Sequence, residues 1–187
     1  MSDVTIPIEK KSLLPQEERL EVTQRKGRLV IGIPRETHYQ ENRVALSPNT
    51  VATMVAQGHE FIIETNAGKN AHFSDKEYAE AGAKIVENSK EVFDCPMIIK
   101  VEPPSLGEIK LMKKGTLFFS ALQLKTQNKK YIDALISKKI TALAYDFIQD
   151  SNGVFPIVKS LSEIAGTASV LIASELLSST KGKGLLF

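Results

Sequence analysis

The sequence predicts an α/β fold, a doubly wound and mostly parallel sheet, from three observations. Short, continuous apolar runs recur along the chain, and the first of them covers residues 28–33. Between these runs lie stretches of about ten residues with apolar side chains at helical spacing. Serine, glycine and proline stand at the boundaries, where helices begin and end. Strands that are apolar throughout are buried on both faces, as in a parallel sheet covered by helices.

The first strand, loop and helix occupy residues 28–58. The strand ends at Pro34, and a polar loop continues as far as Arg43. Ser47 is followed by Pro48, which predicts a helix with a serine N-cap and proline at its first position. Apolar residues at helical spacing then continue until Gly58, which ends the helix.

Five further strands are predicted, at residues 61–63, 83–86, 97–101, 116–123 and 140–146. Ser74 and Glu77 have the spacing of a capping box, and Thr126 is the predicted N-cap of the helix before the last strand. A long helix rich in small residues covers residues 161–177. Right-handed crossovers between parallel strands then give a three-layer arrangement of the Rossmann-like or flavodoxin-like type. It lacks the glycine-rich turn that binds dinucleotides.

Composition and charge narrow the class of protein. The chain has 187 residues, of which 42% are hydrophobic and 25% charged, and its formal net charge is +2. These values are typical of a soluble globular domain, and the balanced charge predicts no nucleic-acid partner. No stretch approaches the roughly 20 apolar residues of a membrane span, and residues 1–27 lack the apolar core of a secretory signal. We therefore expect no direct membrane insertion and a cytoplasmic location.

The thiol and imidazole side chains predict no metal site. Cys95 adjoins Pro96 and an apolar strand, which favours a buried thiol over a nucleophile. His38, His59 and His72 do not have the spacing of metal ligands, although His38 and His72 lie in loops that could face a cleft.

The loops after the strands are where a ligand site is expected, because doubly wound sheets bind small ligands at the carboxyl ends of their strands. In the first of these loops Arg43 follows Glu41 by two residues. A guanidinium there could hold a small carboxylate through its forked N–H groups. Asp146 ends the last strand, and its carboxylate could either act as a cap or line the cleft. The predicted loops at the carboxyl ends of the strands cover residues 35–43, 65–72, 100–104, 122–125 and 146–154.

Several short motifs, in order along the chain, together resemble one family. They are IGIPRE at 31–36, NRVALSP at 42–48, GH at 58–59, ETNAG at 64–68, AGA at 81–83, IKV at 99–101 and SEIAG at 162–166. The chain from about residue 28 onward resembles the N-terminal domain shared by alanine dehydrogenase and the alpha subunit of nicotinamide nucleotide transhydrogenase.

The resemblance implies a two-domain oxidoreductase that uses NAD. Residues 1–27 are then a mobile N-terminal arm, and residues 28–159 the substrate-side domain. Residues 160–187 are the long helix that leads to an NAD-binding domain absent from this sequence. The apolar tripeptide at 185–187 also predicts that the sequence is the front part of a longer protein. By the same resemblance, the full-length protein is expected to be a homo-oligomer.

The resemblance also implies a substrate site. In the family's dehydrogenases the carboxylate of pyruvate or alanine is held by an arginine in the first loop, a lysine after the fourth strand and a histidine after the fifth. Arg43 matches the arginine, with Glu41 beside it as a candidate orienter. Glu102 stands at the position of the lysine, where it would repel a carboxylate, and Gln123 stands at that of the histidine. Gln123 cannot exchange protons near neutral pH, so no catalytic residue is assigned.

Lys100 lies two residues before Glu102, on the same face of the strand. Its ammonium group could offset the charge of Glu102 or pair with it. The candidate substrate-binding residues are thus Glu41, Arg43, Lys100, Glu102 and Gln123.

Three functions are compatible with these residues. The first is the substrate-side part of an alanine dehydrogenase-like enzyme that transfers hydride between NAD(H) and a small amino acid or 2-oxo acid. The second is an NAD(P) transhydrogenase alpha-type subunit, which has no amino acid to hold. The third is a non-catalytic binding or assembly module of the same fold. We expect the 187 residues to be inactive without an NAD domain.

Overall fold

The computed structural model describes residues 27–180 and 182–184. Within these residues the strands are β1 (Val30–Ile33), β2 (Glu60–Glu64), β3 (Lys84–Val86), β4 (Met97–Ile99), β5 (Leu117–Ser120) and β6 (Thr141–Ala144). The helices are α1 (Pro48–Ala56), α2 (Asp75–Glu80), α3 (Ser89–Phe93), α4 (Leu106–Leu111), α5 (Lys129–Ser137) and α6 (Pro156–Leu177). The predicted N-terminal arm, apart from Gly27, and the apolar residues 185–187 lie outside the described residues.

The six described strands form one sheet in the order β3-β2-β1-β4-β5-β6, and every pairing is parallel. The predicted α/β class and parallel sheet are confirmed. This strand order is that of the Rossmann sheet, which grows outward in both directions from its centre. The direction reverses between β1 and β4, so the loops after these two strands flank the place where such folds bind ligands.

Helices cover both faces of the sheet, as the apolar strands predict. On one face Ile31 and Ile63 pack against Val51 of α1 and Tyr78 of α2. The Tyr78 hydroxyl donates a 2.7 Å hydrogen bond to the carbonyl oxygen of Leu46, which ties α2 to the end of the first loop. On the other face a separate core contains the following buried side chains: Phe93, Cys95, Ile98, Met112, Phe118 and Leu122.

Cys95 is buried in this second core, as predicted. Its thiol lies 3.6 Å from the carbonyl oxygen of Glu91, and burial raises the pKa of the thiol to about 11. A thiol with a raised pKa carries little thiolate at neutral pH and is a poor nucleophile.

The helix starts follow the sequence signals, with two exceptions. Ser47 caps α1 and Ser74 forms a capping box with Glu77, both as predicted. The predicted cap Thr126 is wrong: Asn128 accepts the hydrogen bond from the third residue of α5. The Thr126 hydroxyl instead donates to the carbonyl oxygen of Gln123, because the turn after β5 continues two residues further.

The long helix α6 begins at Pro156, five residues before the predicted start at residue 161. Its N-cap, Phe155, makes no side-chain capping bond, so the sequence carries no cap signal there. None of the 22 helical residues is buried. By its length and mean hydropathy α6 is long and apolar enough to cross a membrane. The prediction that no stretch approaches a membrane span is therefore wrong for α6. Length and composition alone do not place a helix in a membrane.

Candidate functional site

The loops after β1, β4, β5 and β6 converge on one cavity at the carboxyl edge of the sheet. The cavity has a volume of about 360 Å³, which falls within the range of small-molecule pockets. The start of α6 covers it on one side. Its lining consists of Arg43, Glu102, Ala121, Gln123, Tyr145, Asp146, Val158, Leu161, Ser162 and Ala165.

Arg43 is held in this cavity by Glu41. The Nε and Nη2 atoms of Arg43 lie 2.8 Å and 2.5 Å from the two carboxylate oxygens of Glu41, a bidentate pair. The backbone N–H of Arg43 donates to the same carboxylate. The hydrogen bond from Arg43 lowers the pKa of Glu41 and raises that of Arg43. Glu41 thus fixes the orientation of the Arg43 guanidinium, and the part of both residues in substrate binding stays a prediction.

Glu102 also contacts Arg43, and Gln123 in turn contacts Glu102. Glu102 Oε1 lies 3.3 Å from Arg43 Nη2, and Gln123 Nε2 donates to Glu102 Oε2 over 3.0 Å. The Glu102 side chain is 18% exposed, whereas that of Arg43 is 49% exposed. Residues from three separate loops therefore form one hydrogen-bonded chain, which runs from Glu41 through Arg43 and Glu102 to Gln123.

Asp146 positions the loop that carries Gln123. Its carboxylate accepts hydrogen bonds from the backbone N–H groups of Leu122 and Gln123, at 3.3 Å and 3.2 Å. Gln123 has φ of 46°, a left-handed conformation that costs free energy in a residue other than glycine. Asp146 both caps the loop and lines the cavity, so the two alternatives considered for it coexist.

Tyr145 adds a second restraint from the end of β6. Its hydroxyl donates to the carbonyl oxygen of Val101 at 2.7 Å, and burial raises its pKa. This bond ties the loop after β4, which carries Glu102, to the loop after β6.

Lys100 is separated from the other candidate residues. Its side chain is fully buried, and Nζ lies 2.8 Å from Glu108 of α4 and 3.4 Å from Glu36 in the first loop. The expected pairing with Glu102 is not seen among the described contacts. Side chains alternate between the two faces of a sheet only within a strand, and β4 ends at Ile99, before Lys100. Lys100 and Glu102 therefore need not share a face. Its predicted contact with substrate stays a prediction, and the geometry favours a structural role.

Glu36 is the residue of this edge that sequence reasoning missed. Its Oε1 accepts the backbone N–H of Val101 at 2.7 Å, so it joins the loops after β1 and β4. Its Oε2 is buried and faces Lys100 Nζ in the 3.4 Å ion pair, with no further hydrogen-bond partner within the described part of the chain. Burial raises the pKa of Glu36, and the charge of Lys100 opposes that rise. The sequence signal that could have identified Glu36 is its position just after a buried strand, at the end of the motif IGIPRE.

The three histidines do not line this cavity. His38 borders a separate cavity of about 280 Å³ near Pro103 and Tyr131. His72 ends a 3-10 turn in the left-handed conformation, and His59 accepts a hydrogen bond from the backbone of Leu29. Among the described residues no group of three or more His, Cys, Asp or Glu side chains could hold a metal ion.

NAD does not fit this domain by the usual route. Residues 34–47, between β1 and α1, contain no glycine. A pyrophosphate at the start of the helix after β1 needs a tight turn whose glycines let the backbone approach it. The cavity described above suits a small polar ligand.

The Rossmann strand order and the arginine-centred cavity at its switch point define a small-ligand domain of an α/β protein. Residues 32–165 match the model of the family "Alanine dehydrogenase/PNT, N-terminal domain". The chain belongs to this family, which confirms the resemblance drawn from the motifs.

Individual relatives agree with the family assignment. An alanine dehydrogenase of Staphylococcus epidermidis (strain ATCC 12228) is 41% identical over 152 residues, which cover 81% of this chain and 41% of that protein. Alanine dehydrogenase 2 of Staphylococcus aureus (strain NCTC 8325) is 40% identical with the same coverage. The chain thus spans 41% of the length of these relatives.

Solved structures show the same likeness. An L-alanine dehydrogenase superposes with a TM-score of 0.78 and 37% identity over 82% of this chain and 42% of its own. A transhydrogenase from Sinorhizobium meliloti superposes with a TM-score of 0.59 and 26% identity, over 64% of this chain and 35% of its own.

Proposed function

We propose that this chain is the substrate-side domain of an NAD-dependent oxidoreductase that interconverts a small amino acid and its 2-oxo acid. The observation that carries the proposal is the position of Arg43. It lies at the switch point of the sheet, in a cavity built by four loops, within the family's N-terminal domain. The domain would hold the substrate, and NAD, bound elsewhere in the complete protein, would supply the hydride chemistry.

Different residues of the cavity would bind different parts of the substrate. Arg43 is the cation toward which a substrate carboxylate would be drawn, and Glu41 holds its guanidinium in place. Val158, Leu161 and Ala165 of α6 supply an apolar wall for a short aliphatic side chain. The predicted cytoplasmic location belongs to the same proposal. Self-association belongs to it as well, because the exposed apolar side chains of α6 suit burial in a larger assembly.

A transhydrogenase alpha-type subunit is the second candidate. The likeness to the Sinorhizobium meliloti transhydrogenase favours it, and such a subunit has no amino acid to hold, so Glu102 and Gln123 would be tolerated there. A non-catalytic module is the third, favoured by the ion pairs that already occupy Arg43.

Turnover by the complete protein separates these candidates. With NAD and a panel of L-amino acids, we expect NADH absorbance to rise with at least one small aliphatic amino acid. In Arg43→Met we expect kcat/KM to fall by about 10- to 100-fold, because charge-assisted hydrogen bonds to the substrate are lost.

The matched control is Arg28→Met. Arg28 is an exposed arginine paired with Glu60 at the amino edge of the sheet, away from the cavity, and its removal should leave kcat/KM unchanged. Failure to oxidise any amino acid would remove the dehydrogenase proposal. Hydride exchange between NADH and an NADP analogue would then support the transhydrogenase.

A further inference from the structure

We propose that Glu36 is a positioning residue of the substrate site: it keeps the first loop and the loop after β4 in place when a substrate carboxylate binds Arg43. This inference rests on the proposed function, since it assigns a role at the same site. Glu36 does not line the cavity, whereas Arg43 and Glu102 do. It therefore acts through the two loops that carry these residues.

The first loop and the loop after β4 are joined by two sets of polar contacts among the described residues. Near the surface, Arg43 Nη2 lies 3.3 Å from Glu102 Oε1. In the interior, Glu36 accepts the backbone N–H of Val101 over 2.7 Å and lies 3.4 Å from Lys100 Nζ. The Arg43 side chain is 49% exposed and that of Glu36 only 5%. One link between the loops is thus open to solvent, and the other is buried.

The exposed link is the one that a substrate would break. Glu41 holds Arg43 at 2.8 Å and 2.5 Å, whereas the contact with Glu102 is longer, at 3.3 Å. A substrate carboxylate beside Arg43 would also repel the carboxylate of Glu102, because like charges meet there at short range. We therefore expect Glu102 to give way to the substrate while Glu41 stays in place.

The buried link remains when the exposed one is lost. Val101, the residue before Glu102, has partners for both of its backbone polar groups. Its N–H donates to Glu36, and its carbonyl oxygen accepts from the Tyr145 hydroxyl at 2.7 Å and from the backbone N–H of Ala121 at 3.2 Å. Contacts from three other loops therefore fix the backbone next to Glu102.

Lys100 extends this support to the far end of the loop after β4. Its Nζ lies 2.8 Å from Glu108 Oε1, and Glu108 Oε2 accepts the backbone N–H of Ser105 at 2.6 Å. Ser105 is the N-cap of α4, where the loop ends. Glu36 and Glu108 share Lys100, so together they hold the loop near both ends. A loop that is ordered before the substrate arrives lowers the entropic cost of binding.

Steady-state kinetics of Glu36→Met in the complete protein tests the proposal. The variant removes the acceptor for the Val101 N–H, and Lys100 keeps Glu108 as a partner. We expect the KM for the amino acid to rise about tenfold and the KM for NAD to stay within about twofold, because the loosened loops build the Arg43 cavity. A merely structural role would lower thermal stability and leave both KM values of the folded enzyme unchanged. Thermal unfolding sets an assay temperature at which the variants are folded.

The control variant is Lys138→Met. Lys138 Nζ donates to the carbonyl oxygens of Lys110 and Met112, at 2.7 Å each, near the end of α4. None of these three residues lines the cavity. The control should lower the unfolding temperature without changing the KM for the amino acid.

Hydrogen–deuterium exchange without substrate gives a second readout, which does not depend on turnover. The peptide that covers residues 100–104 should exchange faster in Glu36→Met than in the wild type, and at the wild-type rate in Lys138→Met. If Glu36→Met does not fold, Glu36→Gln replaces it in both measurements. Its amide keeps one acceptor where Glu36 uses two, so the KM for the amino acid should rise less, by about threefold.

An unchanged KM for the amino acid in the folded variant, or wild-type exchange in its loop peptide, would overturn the inference and leave the proposed function standing. A wild-type protein that turns over no amino acid would remove the proposed function, and the inference with it.

Discussion

Replacing Lys100 by methionine is expected to destabilise the domain by about 3–5 kcal/mol, because it leaves two buried carboxylates without their cation. Lys100 Nζ is fully buried, and the Glu36 and Glu108 side chains are 5% and 11% exposed. Within the described part of the chain, the Glu36 oxygen that faces Lys100 has no other hydrogen-bond partner to replace the lost cation. Urea unfolding at neutral pH measures the change in the free energy of unfolding.

The comparison variant is Lys113→Met, which removes an exposed lysine 3.6 Å from Asp94. Exposed ion pairs contribute about 0–1 kcal/mol, so its free energy of unfolding should change little. A loss below about 1 kcal/mol in Lys100→Met would contradict a structural role for the buried pair.

The pH dependence of Lys100→Met has a definite sign. Burial already raises the pKa of Glu36 above its ordinary value of 4.5, and Lys100 opposes the rise, so the variant should raise it further. A carboxyl with a raised pKa in the folded state stabilises most below its unfolded pKa, and this contribution is lost as the pH rises through the folded pKa. The deficit of the variant relative to wild type should therefore shrink from about pH 7 to about pH 5.

Gly32→Ala is expected to cost about 3 kcal/mol, because the close approach of α3 to β1 leaves no room for a methyl group. A Cβ on Gly32 would lie 2.5 Å from the carbonyl oxygen of Val92 and 3.2 Å from Cβ of Cys95. The backbone of α3 would have to move away from the sheet. Urea unfolding again measures the change.

Gly107→Ala is the matched control, since Gly107 lies in α4 and its Cβ would meet only Ser105 Oγ, at 3.7 Å. Alanine is favoured over glycine in a helix by about 1 kcal/mol, so this variant should be neutral or slightly stabilised. A neutral Gly32→Ala would show that α3 does not need its close contact with β1.

The fold was predictable because its signals are local. Residues 29–33 and 97–99 are apolar without interruption, which is characteristic of strands covered on both faces. The serines before α1 and α2 accept the expected hydrogen bonds. Local signals do not settle every boundary. Thr126 and Asn128 are both good caps, and the choice between them depends on the turn after β5. Asp146 holds this turn, and it lies far along the sequence, after the neighbouring strand β6.

The site was predictable only where topology determines it. The rule that ligands bind at the carboxyl ends of parallel strands brings Arg43, Glu102 and Gln123 together, and the structure places them in one hydrogen-bonded chain. The partners of Lys100 could not be read from the sequence, because Glu36 and Glu108 lie on a loop and a helix whose approach depends on packing. No spacing rule relates those three positions.

Hydrogen–deuterium exchange of the complete protein, with and without saturating L-alanine, tests most directly whether the Arg43 cavity is the ligand site. We predict slower exchange in peptides that cover residues 34–47, 100–104 and 121–125, three of the loops that build the cavity. Peptides from α3, which lies outside the cavity lining, should exchange at unchanged rates. Unchanged exchange in all three loops, or protection confined to α3, would contradict the assignment.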